Sequence, residues 1–598
     1  MTRQRSPRPG ANKIPSAFKS NKRVRLGLVG IMALLMVISG RLVVIQGLDL
    51  DGMAQEATAQ RTVVTKLPAT RGKILDANGN VLAESIIRYN ITASPRNNTE
   101  ATEFKRRNAA GTVETISRDQ GIRELADVLN MSEADVRTAV TGDTDFMYVA
   151  KGVTPDIESK VAALRVPGIY SEPLSERTYP LGAVGGGIVG YLNDSGGAGI
   201  EQTMNDELTG TEGSRTYQRG ANGIVIPTAP DTVVPAVDGK SVKLTINSDI
   251  QYYAQQAISD QVAKFGAQWG NIVVVEVKTG KVLALAEDHM VDPNEPWATD
   301  AKDRGVRSVS AAVEPGSTQK TITAAGAIQE GLITPLSHVL VPPSYTVNGQ
   351  TFQDASPHGT EQRTFAGIIG DSLNTGTVMV GQKLTPDQRY DYLRRFGVGE
   401  ATGIPLPGES SGILAKPEDW DGRQEFTVLF GQGVSQTPLQ TAMAYQTIAN
   451  NGVRLAPQLI DSYIDPDGTE HKVPQAPGTT AVSPQTAAQV KDILESVVTA
   501  GGAKDIKVPG YRIGGKTGTA EAPAENGVGF SGYTASFAGI APMDDPQYVV
   551  LVTVQRPQGN IYGISQAPVF NNVMGHVLRS NNVPPSTTPS VALPQFYE

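Results

Sequence analysis

The chain has 598 residues, too long for a single hydrophobic core, so two to four domains are expected. A formal net charge of −8 is mild for that length and gives no sign of a nucleic-acid partner. The absence of cysteine excludes disulfides, thiol nucleophiles and thiolate metal sites together. The five histidines (His289, His338, His358, His471, His576) are far apart and form no His-x-x-x-His pair, so neither a metal site nor a Ser-His-Asp triad is expected.

Residues 1–25 carry Arg3, Arg5, Arg8, Lys13, Lys19, Lys22, Arg23 and Arg25 and no acid, a disordered basic tail. Leu26 to Gly40 is uncharged, and after Arg41 the apolar run resumes as Leu42-Val43-Val44-Ile45. Counted from Val24, and with Arg41 snorkelling or paired, residues 26–46 reach the roughly 20 that a membrane-spanning helix needs. A cleaved signal peptide is disfavoured, because no small-x-small site follows promptly and the apolar run is long. The positive-inside rule puts the tail in the cytoplasm and everything after about Gly47 outside.

Asp49 to Lys66 is polar and helix-permissive, a stalk. Arg71 to Ala83 reads as two short strands around the Asn78-Gly79 turn. Helical patches are expected over Gly121 to Asn130 and after the cap Ser132. The glycine-rich stretch Gly182 to Gly199 has no strand-loop-helix frame and is not a phosphate loop. Residues 47–235 are therefore taken as one extended, non-catalytic stalk and pedestal.

Past Asp238-Gly239 the texture becomes regular. Ser241 to Ile246 reads as a strand, and Ser248 as the cap of a helix running towards Phe265. Ile272 to Val277 and Val282 to Ala286 form a hairpin around Lys278-Thr279-Gly280-Lys281. Mostly helical and loop segments follow to about Asn451. Strands return at Arg512 to Gly515, Tyr533 to Ile540 and Tyr548 to Val554. A sheet assembled from both ends of residues 236–582, with a helical insert between, is an α+β arrangement. Residues 583–598 are Pro/Ser/Thr-rich and are expected to be a flexible tail.

Within that domain, Glu314-Pro315-Gly316-Ser317-Thr318-Gln319-Lys320 reads as a loop turning sharply into a buried helix that stops near Gly331. Ser317 and Lys320, three apart, share one face of its first turn, so the amine can reach the hydroxyl. A serine with an amine beside it is a nucleophile with a candidate base, although a helix-opening serine is more often only a cap. Ser16-Ala17-Phe18-Lys19 fits the same pattern and is discarded as cytoplasmic tail. Two further patterns follow: Ser372-Leu373-Asn374 on a helix-connecting loop, and Lys516-Thr517-Gly518-Thr519 in a strand-like context. Their decoys, Lys278 to Gly280 in a hairpin turn and Ser580 to Asn582 near the tail, lie in the wrong places.

The order Ser-x-x-Lys, Ser-x-Asn, Lys-Thr-Gly resembles the penicillin-binding proteins and serine β-lactamases. Glu314 to Ser317, Phe430-Gly431-Gln432-Gly433 and Ala535 to Pro542 resemble the transpeptidase domain specifically. Arg71 to Ala83 and Gly199-Ile200-Glu201 resemble the dimerisation-like pedestal of the class B members. The likeness runs from the membrane helix nearly to the tail. Within the class, Arg41 and the Gly199 to Arg215 texture look more like the septal division enzyme than the elongation one. Val313 stands where an aromatic is common and Leu373 where serine is common; neither removes a reacting group.

The resemblance implies acyl transfer from a D-Ala-D-Ala stem peptide to an amine acceptor, with no cofactor and no metal. Ser317 would attack the penultimate D-alanine carbonyl. Lys320 would take its proton, which requires a shift of about 3 units from the usual 10.4, on the order of 4 kcal/mol. Burial and Lys516 both push that way. Ser372 would relay the proton, and Asn374 would hold substrate amide and Lys320. The backbone N–H groups of Ser317 and Thr519 would form the oxyanion hole. Lys516, Thr517 and Thr519 would grip the donor carboxylate, and Gly518 would leave space for a substrate strand. β-Lactam antibiotics would trap Ser317, and a membrane glycosyltransferase and divisome proteins are the partners the family implies. The competing expectations are an elongation-type transpeptidase, a β-lactam hydrolase or sensor, and a scaffold without turnover; the intact motifs argue against the last.

Overall fold

The structure is a computed structural model that describes residues 22–44, 53–100, 102–107, 111–193, 196–220, 226–504, 506–524, 529–559 and 561–598. The basic tail up to residue 21, with its Ser16 to Lys19 decoy, and the start of the stalk lie outside the described residues. Two compact units emerge: Met1–Pro68 with Glu212–Ala236, and Ala69–Thr211 with Val237–Glu598.

In the first unit a 22-residue helix spans Lys22–Val43, with its apolar side chains exposed along its length. At 1.5 Å per residue it is about 33 Å long, enough for the hydrocarbon core of a bilayer. It is the one helix among the described residues that is long and apolar enough to cross a membrane. The stalk is not helical throughout. Helix Met53–Arg61 gives way to strand Thr62–Leu67, which pairs antiparallel with Gly213–Gln218, itself paired with Thr232–Val234. Thr62, Val63, Val64 and Thr65 are β-branched, which favours the strand over continued helix.

The second unit joins pedestal to catalytic segment through one sheet. Strands Ile74–Leu75, Val81–Ala93, Met147–Val153 and Ile169–Thr178 come from the pedestal; Ser241–Leu244, Ile460–Ile464 and Glu470–Lys472 come from beyond it. Across the expected boundary at residue 235, Ile74–Leu75 pairs in parallel with Ser241–Leu244. A smaller core of Ile91, Ile122, Leu125, Val136, Val140, Val149 and Val161 fills the pedestal's far end. Its helices Arg118–Leu129 and Glu133–Val140 begin at Ser117 and at the expected cap Ser132.

The pedestal stretches that carried the family resemblance meet at one buried charge. The Glu201 side chain is fully buried and accepts from Arg71 Nε (2.7 Å) and Arg177 Nε (2.6 Å). Arg71 also donates to Asn205 Oδ1 and Thr209 Oγ1.

The main sheet has five antiparallel strands in the order Val282–Glu287, Trp269–Glu276, Tyr548–Gln555, Phe530–Ala541, Gly514–Pro523. It is built from both ends of the segment, as expected of the α+β arrangement. Tyr548–Gln555 is buried at every position, which explains its unbroken apolar and β-branched run. Helices Ser248–Phe265 and Ala567–Ser580 pack on each other and on the sheet, as do Pro438–Ala449 and Pro484–Thr499. The cap of the first is Asn247 rather than Ser248, because the Ser248 hydroxyl is engaged with Asp76 at 2.6 Å.

The insert holds small hairpins the sequence did not announce. His338–Val341 pairs with Glu361–Thr364, and Ser344–Val347 pairs with Gln350–Gln353. The tail expected to be flexible is instead laid against the domain. Ser586 N–H donates to Gly510 O at 2.9 Å, Thr499 Oγ1 donates to Val591 O at 2.8 Å, and Gln595 is buried. Its prolines fix an extended backbone, and an extended backbone can also dock.

Candidate active site

Pro315 and Gly316 turn the chain into a short 3-10 helix, Gly316–Gln319, that runs directly into helix Lys320–Gln329. Gly316 has φ +56, and a Cβ there would lie 2.7 Å from Thr519 O, so the close approach of turn and strand requires glycine. In a 3-10 turn residues three apart eclipse, which keeps Ser317 and Lys320 on one side. The Phe430 to Gly433 motif lies against this turn: Gly316 N–H donates to Gly431 O (3.0 Å) and Gly433 N–H to Glu314 Oε1 (2.8 Å). From helix Pro438–Ala449, the Tyr445 hydroxyl donates to Thr318 O at 3.1 Å and lies 2.9 Å from Thr321 Oγ1.

Ser317 is half-buried, whereas Lys320 is wholly buried. The hydrogen bonds of the Lys320 amine do not run to Ser317. Nζ donates to Ser372 O at 2.5 Å and to Asn374 Oδ1 at 2.7 Å, and lies 3.3 Å from Ser372 Oγ. The two carbonyl acceptors can take both N–H bonds of an uncharged amine, and its lone pair can then face the Ser372 hydroxyl. Burial pushes the Lys320 pKa well below the usual lysine value, the Lys516 charge pushes it further, and Asp354 opposes.

Lys516 sits on Gly514–Pro523, the edge strand of the main sheet. It is also fully buried, and burial pushes it down to about 7 against the opposing charge of Asp371. Its Nζ donates only weakly, to Thr517 O at 3.3 Å and Thr517 Oγ1 at 3.4 Å. Neither lysine forms an ion pair among the described residues. Thr519 Oγ1 accepts from Gly563 N–H at 3.1 Å, which leaves the hydroxyl proton available to donate outward. The expectation for Gly518 needs correction. A Cβ there would meet Ser536 Oγ at 2.4 Å, Pro315 O at 2.8 Å and Thr318 Cγ2 at 2.9 Å. The missing side chain makes room for the nucleophile turn and the neighbouring strand, not for a substrate.

Ser372 to Asn374 links helices Phe365–Gly370 and Asn374–Gly381. Ser372 has φ +62, a left-handed conformation that a serine adopts only where its surroundings hold it. Leu373 fills a core position and anchors the link, its N–H donating to Ile368 O at 2.9 Å. Asp354, unmarked in the sequence, caps the second helix. Its carboxylate accepts from Asn374 N–H, from Thr375 N–H (3.1 Å), from Thr375 Oγ1 (2.5 Å) and from His358 Nε2 (2.9 Å). A carboxylate at a helix N-terminus is favourable, and here it fixes Asn374. Burial lowers the His358 pKa, but its hydrogen bonds to Asp354 and to Gly359 O and the charges of Asp354 and Glu361 outweigh that and raise it.

Ser317, Lys320, Ser372, Asn374, Lys516, Thr517, Gly518 and Thr519 thus come together from three separate segments. The decoys stay apart: Lys278 pairs with Asp545 at 3.0 Å in its hairpin turn, and Ser580 ends the last helix. Among the described residues no cluster of metal-ligating side chains occurs. Sequence reasoning passed over Asp354, Asp371 and Tyr445. None lies in a motif, and only the fold carries them to the site.

Residues 270–575 match the family model described as penicillin binding protein transpeptidase domain, and residues 66–244 match the penicillin-binding protein dimerisation domain. Penicillin-binding protein PbpB of Mycolicibacterium smegmatis is 37% identical over 598 residues, covering 96% of this chain and 92% of that protein. Peptidoglycan D,D-transpeptidase FtsI of Escherichia coli K12 is 31% identical over 562 residues, covering 93% and 91%. The crystal structure of penicillin binding protein 3 from Mycobacterium tuberculosis, complexed with ampicillin, superposes with a TM-score of 0.68 at 31% identity, covering 88% of this chain and 99% of that one. With both domains matched and relatives spanning almost its whole length, the chain belongs to the class B penicillin-binding proteins.

Proposed function

We propose that the chain is a peptidoglycan D,D-transpeptidase with Ser317 as nucleophile. Ser317 Oγ attacks the penultimate D-alanine carbonyl of a stem peptide as its proton passes to Lys320 Nζ. The tetrahedral oxyanion is held by the N–H groups of Ser317 and Thr519. Collapse breaks the peptide bond, and the leaving D-alanine amine takes a proton relayed from Lys320 through Ser372 Oγ. An acceptor amine then attacks the Ser317 ester, and the proton it sheds returns the site to its starting state. Lys516, Thr517 and Thr519 hold the terminal carboxylate.

One observation carries this reading. Lys320 is wholly buried, without a carboxylate partner among the described residues, beside a second buried cation, and hydrogen-bonded to Ser372 and Asn374. Burial of that kind costs folding stability, which is the pattern of a catalytic amine rather than a structural one.

The pedestal, the apolar helix and the likeness to PbpB and FtsI support a septal role, with the N-terminus cytoplasmic and the catalytic domain outside the cell. A membrane glycosyltransferase and division proteins are then the partners, and β-lactams the covalent inhibitors. The test is labelling of the purified chain by a fluorescent penicillin, with Ser317→Ala as control, followed by addition of a D-amino acid acceptor. A stable label absent from the alanine variant, and an acceptor-dependent exchange product with a donor thioester, are expected. Equal labelling of both proteins would refute the nucleophile; rapid release of hydrolysed drug would point to a β-lactamase instead.

A further inference from the structure

The C-terminal segment reaches the link that presents Ser372. Leu593 N–H donates to Ser496 Oγ at 2.9 Å, Thr364 Oγ1 donates to Pro594 O at 2.5 Å, and Thr364 N–H donates to Gln595 O at 3.2 Å. Phe596 and Arg363 form an antiparallel bridge, and Tyr597 N–H donates to Gln362 O at 3.3 Å. The segment thus continues the hairpin of His338–Val341 and Glu361–Thr364 as a short added strand. It also sits on helix Phe365–Gly370, where a Cβ on Gly367 would be 2.0 Å from Gln595 O.

Two aromatic side chains fasten it. The Tyr597 ring stacks on His338 at 4.0 Å, and the Phe596 ring covers the Arg363 guanidinium at 3.9 Å. Arg363 is only 6% exposed, whereas Phe596 is 55% exposed. That guanidinium donates to Asp371 Oδ2 at 2.5 Å and to Glu361 Oε2 at 2.8 Å. Asp371 immediately precedes Ser372, the residue at φ +62 whose carbonyl accepts from Lys320. Asp371 is also the charge that faces Lys516. The ring holds the buried Arg363 guanidinium in place, and that guanidinium holds Asp371, whose own side chain stays partly open to water and whose charge faces Lys516.

We propose that Leu593–Glu598 is a positioning strap for acylation: Phe596 fixes the Arg363 guanidinium, and its ion pair with Asp371 holds Ser372 in its left-handed conformation beside Lys320. Phe596 and Arg363 are positioning residues; neither touches the reacting atoms. The inference rests on the proposed roles of Ser317, Lys320 and Ser372.

The test uses the full chain in detergent and follows both the rate of labelling by a fluorescent penicillin and the final labelled fraction. Phe596→Ala should acylate roughly 10-fold more slowly, the size expected of a displacement that leaves the groups present but misplaced, while still labelling every molecule. Phe596→Trp, which keeps an aromatic face over Arg363, should return to within about twofold of the parent. A chain ended after Val591 should be at least as slow as Phe596→Ala, and faster again when a peptide of residues 592–598 is added. Parental rates in both Phe596→Ala and the shortened chain would overturn the strap. So would a reduced labelled fraction whose remaining molecules react at the parental rate, because that is loss of folded protein. If the shortened chain does not fold, the Ala and Trp variants still decide the matter. Labelling of Ser317→Ala, or none of the parent, would instead overturn the catalytic reading on which the strap depends, and no Phe596 variant would then differ from the parent.

Discussion

Lys516 should weaken the fold at neutral pH, and replacing it should show by how much. Its pKa falls from 10.5 in the unfolded chain to about 7 when folded, a difference of about 3.5 units and so about 5 kcal/mol at 1.36 kcal/mol per unit. Below pH 7 both states hold the proton, and the folded state bears the whole cost. Between pH 7 and 10.5 the unfolded state binds more protons than the folded one, so stability rises with pH and the cost fades. Lys516→Met removes that term. It also relieves Lys320, on which the Lys516 charge acts in the same direction. The variant should therefore be more stable than the parent at pH 7 by about 4 kcal/mol, with half the folded molecules already uncharged there. For a unit of this size that is a rise in Tm of roughly 4 °C. Thermal unfolding of both proteins at pH 7, 8, 9 and 10 measures the difference, which should shrink steadily towards pH 10.5. The weak bonds lost from Lys516 to Thr517 shift every point equally and leave the slope unchanged. The same variant should take no label from penicillin, a gain in stability at the expense of function. A Tm difference that does not vary with pH, or one that grows as pH rises, would refute the reasoning.

Other residues give sharper or simpler outcomes. Asp354→Asn removes both the charge at the start of helix Asn374–Gly381 and the group that opposes proton loss from Lys320. Acylation should slow by roughly 10-fold through misplacement of Asn374, and the acid limb of the pH–rate profile should move to lower pH; an unmoved limb would show that Asp354 does not act on Lys320. Glu201→Gln leaves Arg71 and Arg177 facing a neutral group in a buried cluster and should cost about 3–5 kcal/mol, read as a fall in Tm and in yield. The acylation rate of the molecules that fold should stay parental. Glu287 is fully buried, accepts from Ser308 N–H (2.8 Å) and Oγ (2.7 Å), and is pushed up to about 8 by burial. Its folded state binds the extra proton between pH 4.5 and 8, so it costs stability progressively as pH rises through that window. Glu287→Gln should match the parent near pH 5 and surpass it above pH 8, measured by Tm.

The motifs that name the chemistry were legible because each is local. Ser317 to Lys320 is one turn, Ser372 to Asn374 one link, and Lys516 to Thr519 one strand. The main hairpin and the strand Tyr548–Gln555 were legible for a related reason, since burial on both faces forces a continuous apolar run. What stayed hidden depends on long-range placement. Asp354 is one acid in a polar loop until the fold sets it against Asn374 and Thr375. Gly518 invites a substrate explanation from its motif, yet its Cβ position is occupied by Pro315, Thr318 and Ser536. The tail was misjudged because composition reports a weak tendency to fold alone and says nothing of a groove elsewhere in the chain. The strand pairing across the expected pedestal boundary was hidden likewise, because it rests on two residues, Ile74 and Leu75, far from their partners in sequence.

The central claim is that Ser317 carries the acyl group and that Lys320 must be uncharged when it does. A donor thioester that mimics the D-Ala-D-Ala terminus, quenched during turnover and mapped by peptide mass spectrometry, tests it in one measurement across pH. The account predicts a single adduct on Ser317 whose rate of formation climbs with pH along an acid limb lying well below the pKa of an ordinary lysine, and which Lys320→Arg, unable to lose its proton, abolishes. An adduct on any other residue, or an Arg variant that acylates at the parental rate, would contradict it.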